Sequence, residues 1–341
     1  MVYDVLILGR GIAGAVLAET CRLRGLSVHV FDHKMPGNAT LAAGGAVNPV
    51  VLRRQGLCWG ASFLMPSAHA FYTAWDRRLG LCTWHDAPVV RLFANDKEAE
   101  QWAGAMRNPD LLPVLARRPE PEIDDGPFQA PHGHGTVTGA GWLDIARLLG
   151  AQRRDLLAGG ALDERQLRPD DIRPMDDGIR AGELKGRWLV DCTGAFSGQV
   201  GLVPVKGETL TVRIPGLHLS RMVYGGTGLV PAGGEFFHAG STFKWTDIWE
   251  GPTQEARDWL MARLAEMVRL PVELVDVHAG VRPAARDRKP ILGVTGPRRA
   301  VLNGLGARGV MQAPWCAEHL LDHLLEGKPL KADVDVGRYS S

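Results

Sequence analysis

Apolar positions near the start of the chain follow two different periods. Val2 to Leu8 (VYDVLIL) is a nearly continuous apolar run stopped by Gly9, the pattern of a strand buried on both faces of a parallel sheet. From Ile12 to Arg24 the side chains of Ala13, Val16, Leu17, Cys21 and Leu23 recur at roughly helical spacing, and Gly25 ends the run. Ser27 to Phe31 (SVHVF) is apolar again and ends at Asp32. These segments predict a βαβ unit at the head of the chain.

Residues 37–60 are rich in Gly, Ala and Asn, with Asn48-Pro49 as a turn signal. Residues 62–80 read as helix, 105–140 as a Pro-rich stretch with the acidic run Glu120 to Asp125, and 141–157 as a second amphipathic helix. Trp188 to Cys192 is a further buried strand ended by Thr193-Gly194. Leu210 to Ile214, Met222 to Val223 and Glu235 to Ala239 read as antiparallel strands. Thr253 to Arg269 predicts a helix, Glu273 to His278, Ile291 to Val294 and Ala300 to Leu302 short strands, and Gln312 to Leu325 a closing helix. The order implies an α/β fold: one sheet collects the beginning, a middle piece and the end of the chain, and two insertions form an α+β domain on an antiparallel sheet. The expected boundaries are 1–82, 134–208 and 275–341 for the first domain and 83–133 and 209–274 for the second.

Composition narrows the class. A length of 341 residues allows about two domains, and 45% apolar with 23% charged residues is ordinary for a folded globular chain. A net charge of +1 removes the simplest electrostatic argument for a nucleic-acid partner. No apolar run approaches a membrane span. Five cysteines without ligand spacing argue against a disulfide framework or structural zinc, and with no signal-peptide pattern the expected location is cytoplasmic. His132 and His134 in PHGHG lack neighbouring ligands and read as part of a mobile loop, so no metal site is expected.

Gly9-Arg10-Gly11-Ile12-Ala13-Gly14 is a G-x-G-x-x-G run after a buried strand and at the opening of a helix. The first glycine makes the tight turn, the second lets backbone approach a pyrophosphate, and the third packs helix against strand. The helix N-terminus favours the phosphates, and Asp32 at the end of the second strand is placed to accept hydrogen bonds from a ribose diol. These residues point to a dinucleotide.

Four further stretches follow in order: Leu189 to Ser197 with Thr193 and Gly194, Pro204 to Glu208, Ala279-Gly280-Val281-Arg282-Pro283 with Pro290 to Gly293, and Gly304-Leu305-Gly306-Ala307-Arg308-Gly309-Val310. With them the chain resembles the FAD-dependent D-amino-acid oxidase superfamily, which includes glycine oxidase and sarcosine oxidase, from residue 1 to about 327. The resemblance implies a Rossmann-like FAD-binding domain interleaved with the substrate domain, and non-covalent FAD. Its adenosine would lie by Asp32 and His33 and its pyrophosphate on Gly9, Gly11, Ile12, Ala13 and Gly14. Its ring would lie between the loop Ala42, Ala43, Gly44, Gly45 and the turn Gly304, Gly306, Ala307, Arg308, Gly309 and Val310, with Thr193 and Gly194 closing the site. That last turn reads alternatively as a helix-capping loop. Cys316 lies inside the closing helix, away from the family's attachment position, and reads as a buried structural cysteine.

The resemblance also assigns Arg282 to a substrate carboxylate, a task for which a guanidinium fork offers two parallel donors. The alternative is a structural ion pair with Asp276 or Asp287. Tyr224, Lys244, Trp245 and Arg308 are further candidates around the substrate, and Arg53 and Arg54 either face it or are solvated. The implied reaction is oxidation of a carbon–nitrogen bond in an amino acid or N-substituted glycine, by hydride transfer to flavin N5 and hydrolysis of the imine, without a side-chain base. Local similarity of Gly304 to Gly309, Arg282 to Asp287 and Asn48-Pro49 to the oxidoreductase domain that matures wobble uridine keeps tRNA as an alternative substrate. A non-catalytic flavin-binding subunit of a dehydrogenase complex is a third reading.

Overall fold

The computed structural model describes residues 2–339. Its first sheet is built around Val2–Leu8, which runs parallel to Val28–Phe31 on one side and to Leu184–Asp191 on the other. Leu162–Asp163 lies beyond Val28–Phe31. The first half of Leu184–Asp191 carries the antiparallel strands Gly178–Ala181 and Ile172–Met175, and its last residues pair in parallel with Arg299–Asn303, itself paired with Ile291–Gly296. Val5, Leu6 and Ile7 are wholly buried, which is why the run lacks polar alternation. The helices Ile12–Leu23, Ala61–Leu79, Ile145–Ala158 and Gly309–Glu326 share one core with these strands.

The second sheet has the order Glu273–Arg282, Val205–Arg213, Phe236–Gly240, Gly228–Pro231, Met222–Tyr224, Val89–Leu92, His134–Val137 and Leu115–Ala116. Successive side chains of a strand point to opposite faces. Leu210, Val212, Phe237 and Ala239 form one face and pack with Leu260, Leu264 and Met267 of the helix Gln254–Met267. Gly207, Thr209, Thr211, His238 and Gly240 alternate with them and lie on the other face. A small sheet of Ala46–Val47, Gly141–Leu143 and Trp84–Asp86 completes the frame.

Several expectations are corrected. The second sheet takes His134–Val137, residues 205–208 and the strand through Arg282, which the sequence reading gave to the dinucleotide domain; a strand buried in either sheet has the same apolar pattern. His134 starts a strand instead of lying in a mobile loop, and its Nε2 pairs with Asp124 Oδ1 at 2.8 Å. Gly141 opens a strand, and the following helix begins at Ile145, capped by the Asp144 carboxylate, which accepts from Arg147 N at 3.0 Å. The closing helix starts at Gly309, one turn earlier than its apolar periodicity indicates. Among the described residues no helix is long and apolar enough to cross a membrane, and no cluster of three or more His, Cys, Asp or Glu is placed to hold a metal.

Candidate active site

A continuous cavity of about 970 Å³ runs from the end of Val28–Phe31, past the N-terminus of Ile12–Leu23, to the inner face of the second sheet. It lies at the upper end of the range for small-molecule and cofactor sites. At its nucleotide end Gly9 has φ +88°, and a Cβ there would stand 2.9 Å from Cys192 O. A Cβ on Gly14 would stand 1.9 Å from Gly9 O, so loop and helix touch backbone to backbone. Gly14 therefore shapes the cradle from behind and does not line the cavity, whereas Gly9, Gly11, Ile12 and Ala13 do.

Asp32 and His33 line this end as well. The Asp32 carboxylate is fixed by Arg10 N, which donates to Oδ1 at 2.9 Å, and by the Arg10 guanidinium, 3.6 Å from Oδ2. Arg10 Nε is buried without a hydrogen-bond partner. Arg165, missed in the sequence, lies with its guanidinium 5.7 Å from the centroid of the Phe31 ring and lines the same end.

Ala42, Ala43, Gly44 and Gly45 line the cavity, as does the turn Gly306, Ala307, Arg308, Gly309 and Val310. Gly45 has φ +76°, and a Cβ would stand 2.0 Å from Leu143 O. Thr209 Oγ1 donates to Ala42 O at 2.8 Å and ties this loop to the second sheet. Thr193 and Gly194 also line the wall, and Asn303 Nδ2 donates to Gly194 O at 2.9 Å. Burial holds the nearby Asp191 carboxyl above its usual range, opposed by hydrogen bonds from Thr193. Gly304 does not line the cavity: it makes a left-handed turn at φ +74° that lets Ile291 pack within 2.7 Å of where a Cβ would be. Cys316 is buried in the closing helix away from the cavity, and burial raises its thiol pKa.

The far end is lined by Arg282, Tyr224 and Arg308, as the sequence reading expects, and also by Arg91, His238, Ser241, Phe243 and Trp259. Arg282 donates to Ser241 Oγ at 2.6 Å, Thr242 O at 3.2 Å and Lys206 O at 3.4 Å, and its guanidinium lies 4.5 Å from the Phe243 centroid. Among the described residues no carboxylate pairs with it. Asp287 binds Arg338 instead, at 3.0 Å, and Asp276 Oδ2 lies 3.7 Å from His278. Burial pushes the Arg282 guanidinium down to about 10. Burial also raises the Tyr224 phenol to about 12. Arg308 Nε donates to Cys58 Sγ at 3.1 Å, and Arg91 is held by Glu98 at 2.7 Å.

Lys244 and Trp245 lie outside the cavity. After Gly240 the chain continues beside Val205–Arg213, and Lys244 exchanges backbone hydrogen bonds with Lys206 at 2.9 and 3.0 Å. The Lys244 ammonium turns outward to Asp247 at 3.5 Å, and Trp245 is 64% exposed. Arg53 lines the cavity from the hairpin that joins Val50–Val51 to Gly56–Leu57, whereas Arg54 does not. The missed residues Ser241 and Phe243 follow a predicted strand directly, which is their one signal; Arg91 and Trp259 have none, because only the fold brings their elements together.

The family model for FAD-dependent oxidoreductases of the DAO type matches residues 4–323. The chain belongs to this family. It is therefore an FAD-dependent oxidoreductase, and the glycine cradle and the fixed Asp32 fit such a group. The tRNA 5-methylaminomethyl-2-thiouridine biosynthesis bifunctional protein MnmC of Maricaulis maris is 30% identical over 97% of this chain and 53% of its own length. The chain thus spans about half of the bifunctional relatives it matches. Glycine oxidase of Bacillus licheniformis is 26% identical over 97% of this chain and 95% of its own. Among solved structures, iminodiacetate oxidase from Chelativorans superposes with a TM-score of 0.77 at 20% identity, covering 98% of both chains.

Proposed function

We propose that this protein oxidises the carbon–nitrogen bond of a small amine that carries a carboxylate, an amino acid or an N-substituted glycine. The observation that carries this reading is Arg282: a buried cation, facing the cavity, with neutral partners only. A carboxylate would complete its environment with a charge-assisted contact worth about 1.5–3 kcal/mol. Bound FAD supplies the acceptor for the two electrons. The protein's part is to hold and orient. Arg282 fixes the carboxylate end, and Tyr224 and Phe243 wall the apolar space beside it. Exclusion of water lowers the pKa of a substrate ammonium and favours the neutral amine, whose lone pair assists oxidation of the adjacent carbon. Water returning to the site hydrolyses the resulting imine.

Glycine, N-methylglycine and iminodiacetate are the first compounds to test, with glyoxylate as the product to detect. Glyoxylate formation above an FAD-only control is expected with at least one of them, and its absence with all three refutes the N-substituted glycine reading.

A modified tRNA is the second reading. It is favoured by the 30% identity to a tRNA-biosynthesis protein and by Arg53 on a hairpin beside the cavity. A changed wobble-uridine mass in tRNA from a deletion strain would support it, and unchanged tRNA would exclude it.

A further inference from the structure

The inner face of the second sheet carries a row of polar side chains that the proposed reaction leaves unused. His238, Thr211 and Asp276 occupy paired positions on three adjacent strands, with His278 two residues beyond Asp276 on the edge strand. His238 Nδ1 lies 3.5 Å from Thr211 Oγ1, and Thr211 Oγ1 lies 3.0 Å from His278 Nε2. His278 Nε2 is 3.7 Å from Asp276 Oδ2. The row runs outward: His238 lines the cavity, His278 is about one-third exposed at 31%, and the Asp276 side chain is 62% exposed.

The geometry points to a proton outlet in which His238 takes a proton inside the cavity, and Thr211 passes it to His278 and Asp276 at the surface. This inference rests on the amine-oxidising reading, since it supplies the route by which a substrate ammonium becomes the neutral amine. A hydroxyl is both donor and acceptor, so Thr211 can bridge two imidazoles of complementary tautomer. The ammonium N–H bond breaks with its electron pair left on nitrogen, and the proton passes by way of water in the cavity to His238 Nε2, which stands four residues along the sheet from Gly207 beneath the Arg282 guanidinium. The Nδ1 proton of His238 then moves to Thr211 Oγ1 as the hydroxyl proton moves to His278 Nε2. His238 ends neutral and His278 cationic beside Asp276, from which water takes the proton.

The surroundings suit these roles. Burial and the neighbouring His278 lower the His238 pKa, opposed by Asp144, so the ring is neutral near pH 7 and hands a proton on rather than keeping it. The titratable groups facing it are His278 and Asp276 from the edge strand and Asp144 from the cap of Ile145–Ala158. The flanking strand Gly228–Pro231 and the loop Ala42 to Gly45 contain none. Gly44 gives the imidazole its room, since a Cβ there would lie 3.1 Å from His238 Cβ.

The test is a pH titration by nitrogen-15 NMR of the FAD-loaded protein labelled at histidine, with Thr211→Val and Thr211→Ser beside the parent. In the parent and in Thr211→Ser, His238 is expected to hold one tautomer above its titration, with the proton on Nδ1 and the two ring nitrogens resolved as one protonated and one bare. In Thr211→Val, which keeps the shape but removes the hydroxyl, the two nitrogens should move toward a common averaged shift. Identical spectra in all three proteins, or a proton on Nε2 in the parent, would overturn the outlet. With N-methylglycine as reductant under anaerobic conditions, Thr211→Val should slow flavin reduction by about tenfold and Thr211→Ser should restore it. Failure of N-methylglycine to reduce the parent speaks against the oxidation reading alone, and the NMR titration still decides the outlet.

Discussion

In the proposed reaction Arg282 is the residue that would take the substrate carboxylate, because its surroundings hold it in place without neutralising it. Ser241, Thr242 and Lys206 offer only neutral oxygens, and Phe243 offers a ring face. Changing Arg282 to Ala should raise KM for a carboxylate substrate by about 10- to 150-fold, the equivalent of about 1.5–3 kcal/mol, with a smaller effect on kcat. Arg282→Lys should restore little, because an ammonium lacks the fork. Steady-state kinetics on the three proteins decide this. The pH dependence has a definite sign: the guanidinium, held near 10 by burial, binds carboxylate only when protonated. The affinity for methoxyacetate, which has no titrating nitrogen, should be flat from neutral pH and fall as pH rises through about 10. Perturbation of the flavin spectrum reports it, and an affinity rising there would remove Arg282 from the ligand.

At the scale of elements, glycines decide where backbone and side chains approach. A Cβ on Gly207 would lie 1.9 Å from the Arg282 guanidinium, so Gly207→Ala should push that group aside and raise KM much as Arg282→Ala does while FAD stays bound. Gly14→Ala forces the first helix off the Gly9 loop and should weaken FAD binding by about tenfold or more, measured by titration of flavin fluorescence. The G-x-G-x-x-G turn, its helix and the strand ending at Asp32 were legible in the sequence because their signals are local and contiguous. Arg91 and Trp259, on a strand and a helix far apart in the chain, were not. Lys244 lies outside the cavity for a related reason: its backbone pairs with Lys206 while its ammonium turns outward to Asp247, which no local pattern announces.

At the scale of the whole molecule, its two large sheets share one cavity. In the proposed reading the parallel sheet would supply the nucleotide end and the antiparallel sheet the substrate end, and Thr209 ties the loop at Ala42 to the antiparallel sheet. Interleaving is visible in the order of elements, but the sheet that each strand joins is not, because Val205–Arg213 and Glu273–Arg282 lie wholly in the second sheet without a change of composition at residues 208 or 275. Since FAD would bind only the folded cavity, FAD at 100 times its Kd should stabilise the fold by about 2.7 kcal/mol. A thermal melt with and without added FAD should show a higher Tm in its presence. The central claim, oxidation of a carboxylate-bearing amine in this cavity, is tested most directly by mixing the FAD-loaded protein anaerobically with glycine, N-methylglycine and iminodiacetate and following the oxidised-flavin absorbance. The expected result is loss of that absorbance with at least one compound, and its slowing in Arg282→Ala. Unchanged absorbance with all three, while dithionite bleaches the same sample, would contradict the claim.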